Sequence, residues 1–306
     1  MPDLPPLHAL HAPPVPLESA CHAVVAHFSS DATQGRAFLD DVEDAVPLDC
    51  QIIVYDKSSS PCSFAHSERI NDCRALDNVG REQHTYAYHV ATHYDKLPAT
   101  LILLTSDLTR HGRFGQMASL VDATMRRGAG FACVDSQNRV STFGQTGLQR
   151  ACSLDRYSRC TMECYANCGL YPNRPRVLPF PAQPRGLGAW FEATVANASA
   201  GARPLYGYPA CHFGIASTTR DDLRAHPWRV YDAVARDLSV AAVPETAFYM
   251  EWAMSALFGA RSSWAPSETR PQAASGGAAC GLLECETALP IEPGHGGLAA
   301  RAFQPE

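Results

Sequence analysis

Short apolar runs alternate with segments of helical periodicity in the first half of the chain, and this alternation limits the possible folds more than any other feature. The runs occupy residues 22–28, 49–57 and 99–107. They are too short for buried helices and rich in β-branched residues, so they predict strands. Between the first two, Phe38, Val42 and Val46 recur at four-residue spacing and predict a helix. The first two strands are therefore expected to be parallel neighbours in a βαβ unit.

The same alternation continues toward the middle of the chain. Further helices are predicted over 82–97 and 114–128, with another strand over 130–135. In the second half, Asp221, Pro227 and Pro244 mark expected helix starts. We therefore expect an α/β fold with a mostly parallel central sheet and helices on both faces.

The two ends and the middle of the chain differ from this pattern. Residues 1–18 are rich in Pro, and residues 260–306 in Ser, Ala, Gly and Pro, so both are expected to be disordered. A single domain is predicted over 19–259, with a Cys- and Pro-rich insertion at about 136–205.

Four cysteines lie close together in that insertion: Cys152, Cys160, Cys164 and Cys168. Two local disulfides, a structural zinc site of four thiolates and free thiols all remain open, since the usual two-residue spacing of zinc ligands is absent. Disulfides and the Asn-x-Ser pattern at Asn197 favour a secretory route. The first residues lack a signal-peptide pattern, so the compartment stays undecided.

Charge and hydropathy exclude two classes of partner. The chain has a formal net charge of −6 and a pI near 6.0, which gives no basic surface for nucleic acid or an anionic membrane. No run approaches the roughly 18 apolar residues that a spanning helix requires, so no membrane span is expected. The sequence also lacks the Gly-x-Ser-x-Gly, Walker and Gly-x-Gly-x-x-Gly patterns of hydrolases, kinases and dehydrogenases.

Three blocks of sequence resemble the domain of unknown function 3431 family. Together they span roughly residues 22–115 and 205–259, and the central block LDNVGREQHTYAYHVATHYDKLPATLILLTSDLTRHG is the most specific. More distantly, the layout resembles glycosyltransferases of the A-type, Rossmann-like fold. The stretch Asn-Val-Gly-Arg-Glu at 78–82 is similar to the Asn-x-Gly-Arg-Asp stretch of rhamnan-synthesis glycosyltransferase domains.

The glycosyltransferase resemblance implies transfer of a sugar from a nucleotide-sugar donor to a glycan or other hydroxyl acceptor. A diphosphate leaving group needs a divalent cation or fixed positive charge. Asp107 ends the most apolar run, where such enzymes carry an Asp-x-Asp motif that binds Mn²⁺ or Mg²⁺. Here only one carboxylate is present, and His111 is the nearest second ligand.

The donor-binding candidates cluster around the start of the second predicted helix: Asn78, Gly80, Arg81, Glu82, His84 and Tyr86. Arg81 is suited to a phosphate, with Asn78 and the Gly80 backbone shaping the turn. A structural ion pair between Arg81 and Glu82, and a core position for Tyr86, are the alternatives. Glu251, a carboxylate in an apolar helix, is the candidate acceptor-side base, or else a partner of an arginine such as Arg81.

Two other interpretations of function remain open. One is a non-catalytic carbohydrate- or protein-binding module on the same fold, suggested by the single acid at the strand end. The other is an enzyme of another class on the same sheet, because fold does not determine function.

Overall fold

A computed structural model of the protein describes residues 20–28, 32–58, 62, 68–106, 114–126, 130–134, 140–142, 180–199, 205, 208 and 210–259. The strands are β1 (Cys21–His27), β2 (Cys50–Asp56), β3 (Ile70–Ala75), β4 (Thr100–Thr105), β5 (Ala132–Val134), β6 (Val140–Thr142) and β7 (His212–Thr219). The α-helices are α1 (Ala32–Ala45), α2 (Arg81–His93), α3 (Phe114–Val121), α4 (Leu187–Phe191), α5 (Arg220–Leu223), α6 (Trp228–Leu238) and α7 (Glu245–Phe258). A 3₁₀ turn follows α2, and π-helical turns extend α3 and α4.

The described strands form one sheet in the order β3-β2-β1-β4-β7-β5-β6. β1 pairs in parallel with β2 and β4, and β2 pairs in parallel with β3. β7 is antiparallel to both β4 and β5, and β6 is antiparallel to β5. The expected α/β fold with a mostly parallel sheet is confirmed, and the sheet is mixed because β6 and β7 run against the other strands.

Helices cover both faces of this sheet, as the alternation along β1 requires. Val24 and Ala26 face a core shared with α2, α4, α6 and α7. Ala23 and Val25 face a second core shared with α1 and α3. Every residue of α7 is buried, which explains why that helix is apolar on all sides.

The structure confirms the strands predicted from the apolar runs, with bounds that agree to within two residues. The sequence analysis did not predict β3. Its residues, INDCRA, are mostly polar and only partly buried. It lies at the edge of the sheet, where a strand is held by its pairing with one neighbour rather than by burial of both faces.

Three disulfides lie within the described residues, and none involves the predicted cysteine cluster. They join Cys21 to Cys50, Cys62 to Cys73 and Cys133 to Cys211. The first links the starts of β1 and β2, and the third links β5 to the residue before β7. Such cross-links are typical of oxidising compartments. None of the helices in the described ranges is long and apolar enough to cross a bilayer.

Several expectations concern residues outside the described ranges. These are the disordered lead-in, the disordered tail and the cluster Cys152, Cys160, Cys164 and Cys168. Part of the expected insertion is described, and it packs into the protein. Leu187, Trp190 and Val195 belong to the same core as α2 and α7.

A cluster of buried histidines lies between β1 and α2. His22 and His89 are fully buried, and His93 nearly so. The ring of His89 stacks on that of His93 at 4.4 Å and meets the edge of His22 at 5.8 Å. A hydrogen bond of 3.0 Å joins the Tyr55 hydroxyl to Nδ1 of His89. Both ring nitrogens of His22 lack a hydrogen-bond partner among the described residues.

Burial determines the protonation state of this cluster. It lowers the pKa of His22 to about 4, and it lowers the pKa of His93 to about 4. It also lowers the pKa of His89 well below the ordinary value. Arg74 and Lys96 lower the pKa of His93 further, while Asp72 raises it. All three imidazoles are therefore neutral in the folded protein at neutral pH.

We expect the stability of the protein to fall as pH decreases from about 6.5 to about 4, because the unfolded chain binds protons there that the folded cluster excludes. Protonation of the unfolded chain at His22, and likewise at His93, lowers the free energy of unfolding by roughly 3 kcal/mol across this pH window. Urea unfolding at pH 7, 6, 5 and 4 measures the effect. His22→Leu should flatten the profile, whereas Val24→Ala, a core change on the same face of β1, should lower stability equally at every pH. Identical profiles for wild type and His22→Leu would refute the assignment.

Candidate functional site

The order of the parallel strands marks the carboxyl ends of two of them as a candidate site. From β1 the chain moves outward through β2 to β3, and it then returns to β4 on the other side of β1. The helices that follow β1 and β3 cover opposite faces. In open α/β sheets, such a reversal opens a crevice outside the carboxyl ends of the strands, and ligands bind there. The carboxyl ends of β1 and β4 are thus the candidate site.

Polar side chains end three neighbouring strands at this edge. His27 ends β1 and Asp56 ends β2, and Ser106 follows β4. His27 and Asp56 are each 1% exposed, and Nδ1 of His27 lies 3.3 Å from Oδ1 of Asp56. Ser106 Oγ accepts from the Phe28 amide at 3.0 Å and lies 3.0 Å from the Phe28 carbonyl, to which it donates. Asp107 comes directly after this serine.

The charge of Asp56 is stabilised by its neighbours. Burial raises the pKa of its carboxyl group, but hydrogen bonds from His27 and from the Ser58 amide outweigh burial and hold the pKa below its usual value. The carboxylate is therefore ionised at neutral pH and orients the imidazole of His27.

Lys57 links this edge to the start of α2. Its side chain is buried, and its ammonium group donates to the carbonyl oxygens of Val79 and Arg81. Burial lowers the pKa of Lys57 to about 7, while the charge of Glu82 raises it and that of Arg81 lowers it. The lysine therefore ties the end of β2 to the turn at the start of α2 through two backbone carbonyl groups.

That turn has an unusual backbone. Gly80 and Arg81 have φ values of 60° and 52°, in the left-handed region. Their amides donate to the carbonyls of Ala241 and Ala242 at 2.7 and 3.1 Å. A side chain at position 80 would meet the Leu238 carbonyl oxygen at 2.7 Å, so glycine is required there. The start of α2 is thus fixed against the turn that follows α6.

Arg81 lies between two carboxylates. Its guanidinium is 3.3 Å from Oε1 of Glu82 and 3.4 Å from Oε2 of Glu251, and it stacks 4.7 Å above the ring of Phe248. Oε1 of Glu251 accepts from the Phe213 amide at 2.7 Å. These contacts connect α2, β7 and α7, so we name Arg81, Glu82 and Glu251 the charge network.

The start of β7 is shaped to receive this network. Phe213 and Gly214 have φ values of 68° and 65°. A Cβ atom at Gly214 would lie only 2.4 Å from Oε1 of Glu82. The Gly214 carbonyl accepts from the Tyr86 hydroxyl at 2.8 Å. Glycine at this position therefore lets the Glu82 carboxylate lie directly against the backbone.

The structure brings some of the predicted site residues together and buries others. Arg81, Glu82 and Glu251 are in contact, which is the ion pairing that the sequence left as an alternative. Tyr86 is fully buried, and His84 is buried against Tyr88. Burial and the nearby Lys57 lower the pKa of His84 to about 3.

The remaining predicted site residues are Asn78, Asp107 and His111. Asn78 is exposed in the segment before Gly80. Asp107 and His111 lie outside the described residues, so the metal site predicted there is untested. Within the ranges that the structure describes, no group of three His, Cys, Asp or Glu side chains is arranged to hold a metal ion.

Sequence analysis missed His27, Asp56 and Lys57. The signal that selected Asp107, a polar residue at the end of an apolar run, also marks His27 and Asp56. Lys57 is the last residue of the run 49–57, but no local pattern indicates its partners, which follow it by 22 and 24 residues.

Comparisons with known proteins leave the chain without an assigned family. No family model, no curated protein and no solved structure matches it.

Gly214→Ala should destabilise the protein by about 2 to 4 kcal/mol, because the left-handed backbone and the contact with Glu82 both exclude a Cβ atom. Gly115→Ala is the matched control, since it lies in α3 with no atom within 4 Å of the new methyl group. It should be neutral or stabilising by up to about 1 kcal/mol. Chemical denaturation of both variants checks this. Equal effects would show that the Glu82 contact is absent.

Proposed function

We propose that the protein is glycosyltransferase-like and transfers a sugar from a nucleotide-sugar donor to a glycan or other hydroxyl acceptor. The donor binds in the crevice at the carboxyl ends of β1 and β4. The observation that carries the proposal is the strand order β3-β2-β1-β4, which matches the order of the first four strands, 3-2-1-4, in a doubly wound dinucleotide-binding sheet. The resemblance of the sequence to A-type glycosyltransferases supports the same assignment.

The polar side chains at this edge suit a nucleotide. Asn78 is exposed, and Arg81 is about one quarter exposed at the start of α2. We assign donor contacts to these two, with Arg81 directed toward the diphosphate. Phe28, 48% exposed at the end of β1, offers an aromatic surface for the base. In this assignment the other predicted residues have a structural role at the start of α2: Gly80, Glu82, His84 and Tyr86.

The metal-binding part of the proposal depends on Asp107 and His111. Mn²⁺ or Mg²⁺ bound there would neutralise charge on the leaving diphosphate. Ser106, bonded to both backbone groups of Phe28, fixes the chain immediately before Asp107.

One observation favours the alternative of a non-catalytic binding module on this fold. The charge of Arg81 is already shared by Glu82 and Glu251. A phosphate must compete with two carboxylates for the guanidinium, and this weakens a purely electrostatic donor site. The two hypotheses differ in whether a nucleotide binds at all.

A thermal-shift panel of nucleoside diphosphates and nucleotide sugars, with and without Mn²⁺ or Mg²⁺, tests the proposal. A donor at 100 times its Kd should stabilise the protein by about 2.7 kcal/mol, or roughly 5 to 10 °C in Tm. Asp107→Asn should abolish the metal-dependent part of the shift.

Asp221→Asn is the matched control for that variant, because Asp221 is exposed and follows β7 at the opposite edge of the sheet. It should keep the full shift. If no nucleotide stabilises the folded wild-type protein, the donor site is refuted and the binding module is favoured.

Glu251 has two possible roles, and its contacts support the pairing with Arg81. Both of its carboxylate oxygens accept hydrogen bonds, from the Phe213 amide and from Arg81. Glu251→Gln should therefore lower stability by about 2 to 3 kcal/mol. Glu192→Gln, at an exposed acid, should have no effect.

Sugar transfer by the Glu251→Gln variant separates the two roles. If Glu251 is the base, the variant should have an unchanged Tm and a kcat lower by a factor of about 10² to 10⁴. If Glu251 is a structural partner of Arg81, the variant should have a lower Tm and should retain sugar transfer below that temperature.

A further inference from the structure

Asn197 lies in the only Asn-x-Ser/Thr sequence of the chain in which x is not proline. We propose that Asn197 carries an N-linked glycan. Asn-Ala-Ser at 197–199 is the acceptor pattern for this modification in secreted proteins. The pattern alone is weak, so the proposal depends on where the structure places these residues and on the chemistry of their contacts.

The asparagine occupies an accessible position. The π-helical turn Glu192–Ala196 extends α4, and Asn197 immediately follows it at the protein surface. Its side chain is exposed, while Val195 beside it is fully buried. The turn is thus anchored from within, and the asparagine points away from the core. A glycan at Asn197 displaces none of the described core packing.

The side-chain hydrogen bond that Asn197 makes within the described part of the chain survives the modification. Nδ2 donates to the Ala193 carbonyl at 3.0 Å. This amide nitrogen carries two hydrogens, and the modification replaces only one of them. Nδ2 forms a bond to C1 of the first sugar of a lipid-linked oligosaccharide diphosphate. The bond from C1 to the diphosphate oxygen breaks, the lipid diphosphate leaves, and a base takes the amide proton. The second hydrogen still donates to Ala193.

The serine of the pattern determines when the modification occurs. Ser199 is 8% exposed, and its amide donates to the Ala196 carbonyl at 3.1 Å. Recognition of the pattern requires this residue, and the folded protein encloses it. The transfer therefore takes place on the unfolded chain, before Ser199 packs.

The disulfides place the chain in the same compartment as the modification. Pairs such as Cys21 with Cys50 and Cys133 with Cys211 form in the oxidising lumen that nascent secreted chains enter. The disulfides and the acceptor asparagine are separate observations, and each points to that route.

The glycan leaves the candidate site open. Arg229, at the start of α6, donates through Nε to the carbonyl of Ala198. Leu238, at the other end of α6, contacts the position of Gly80. A helix rises about 1.5 Å per residue, so roughly 14 Å of α6 separates the modified turn from the start of α2. The proposal is independent of the nucleotide-sugar activity proposed above.

Peptide mapping of the protein isolated from the cells that make it tests the proposal. The sample is divided, and one half is treated with peptide N-glycosidase in heavy-oxygen water. We expect the treated half to contain Asp at position 197 with the heavy label, and the intact protein to lose mass. An unmodified Asn197 in both halves overturns the proposal.

Matched variants, secreted from a eukaryotic host, locate the acceptor and its timing. Asn197→Gln and Ser199→Ala should lack the glycan, while Ser199→Thr retains the pattern and should carry it. Because transfer precedes folding, these outcomes hold even where a variant folds poorly. A glycan that persists in Asn197→Gln contradicts the assignment. Unglycosylated, folded protein incubated with detergent-solubilised transferase and its lipid-linked donor should stay unmodified, whereas the unfolded protein should be modified; modification of the folded protein would refute the proposed order of events.

Discussion

The charge network at Arg81 is the interaction on which the arrangement of the site depends. One guanidinium serves Glu82 on its own helix and Glu251 on α7, and Glu251 in turn holds the amide of Phe213 at the start of β7. Without Arg81, two largely buried carboxylates would face each other with no cation between them. Breaking a buried pair in this way is strongly unfavourable. The network therefore determines how α2, β7 and α7 approach one another.

A second set of polar side chains, His27, Asp56 and Lys57, lies at the carboxyl ends of β1 and β2 and is also stabilised by pairing. Each of its members has a partner: His27 contacts Asp56, Asp56 accepts from Ser58, and Lys57 caps the turn at Arg81. Burial alone would shift Asp56 and Lys57 toward their neutral forms. For Asp56, hydrogen bonds reverse the effect of burial on the pKa, whereas for Lys57 burial prevails. The polar side chains at the carboxyl ends of these strands are thus paired with neighbouring groups of the protein.

The sequence predicts the elements of this protein better than it predicts their contacts. β1, β2 and β4 follow from apolar runs because burial of both faces of a strand requires apolar residues at nearly every position. Pairing of Arg81 with Glu251 spans 170 residues, and no local pattern encodes it. The disulfide partners are separated by 29, 11 and 78 residues, so spacing could not select them either.

Backbone strain concentrates where these long-range contacts meet. Two residues other than glycine have positive φ among those described, Arg81 and Phe213, and both belong to or contact the charge network. Such conformations persist only where the surroundings over-determine them, and they cluster at ligand-binding and catalytic sites. Here the surroundings are the paired charges, which leave the start of α2 rigid. A ligand of the proposed donor site would therefore meet a surface held in place by these contacts, and it could contact exposed Asn78 and Phe28 without breaking a buried ion pair.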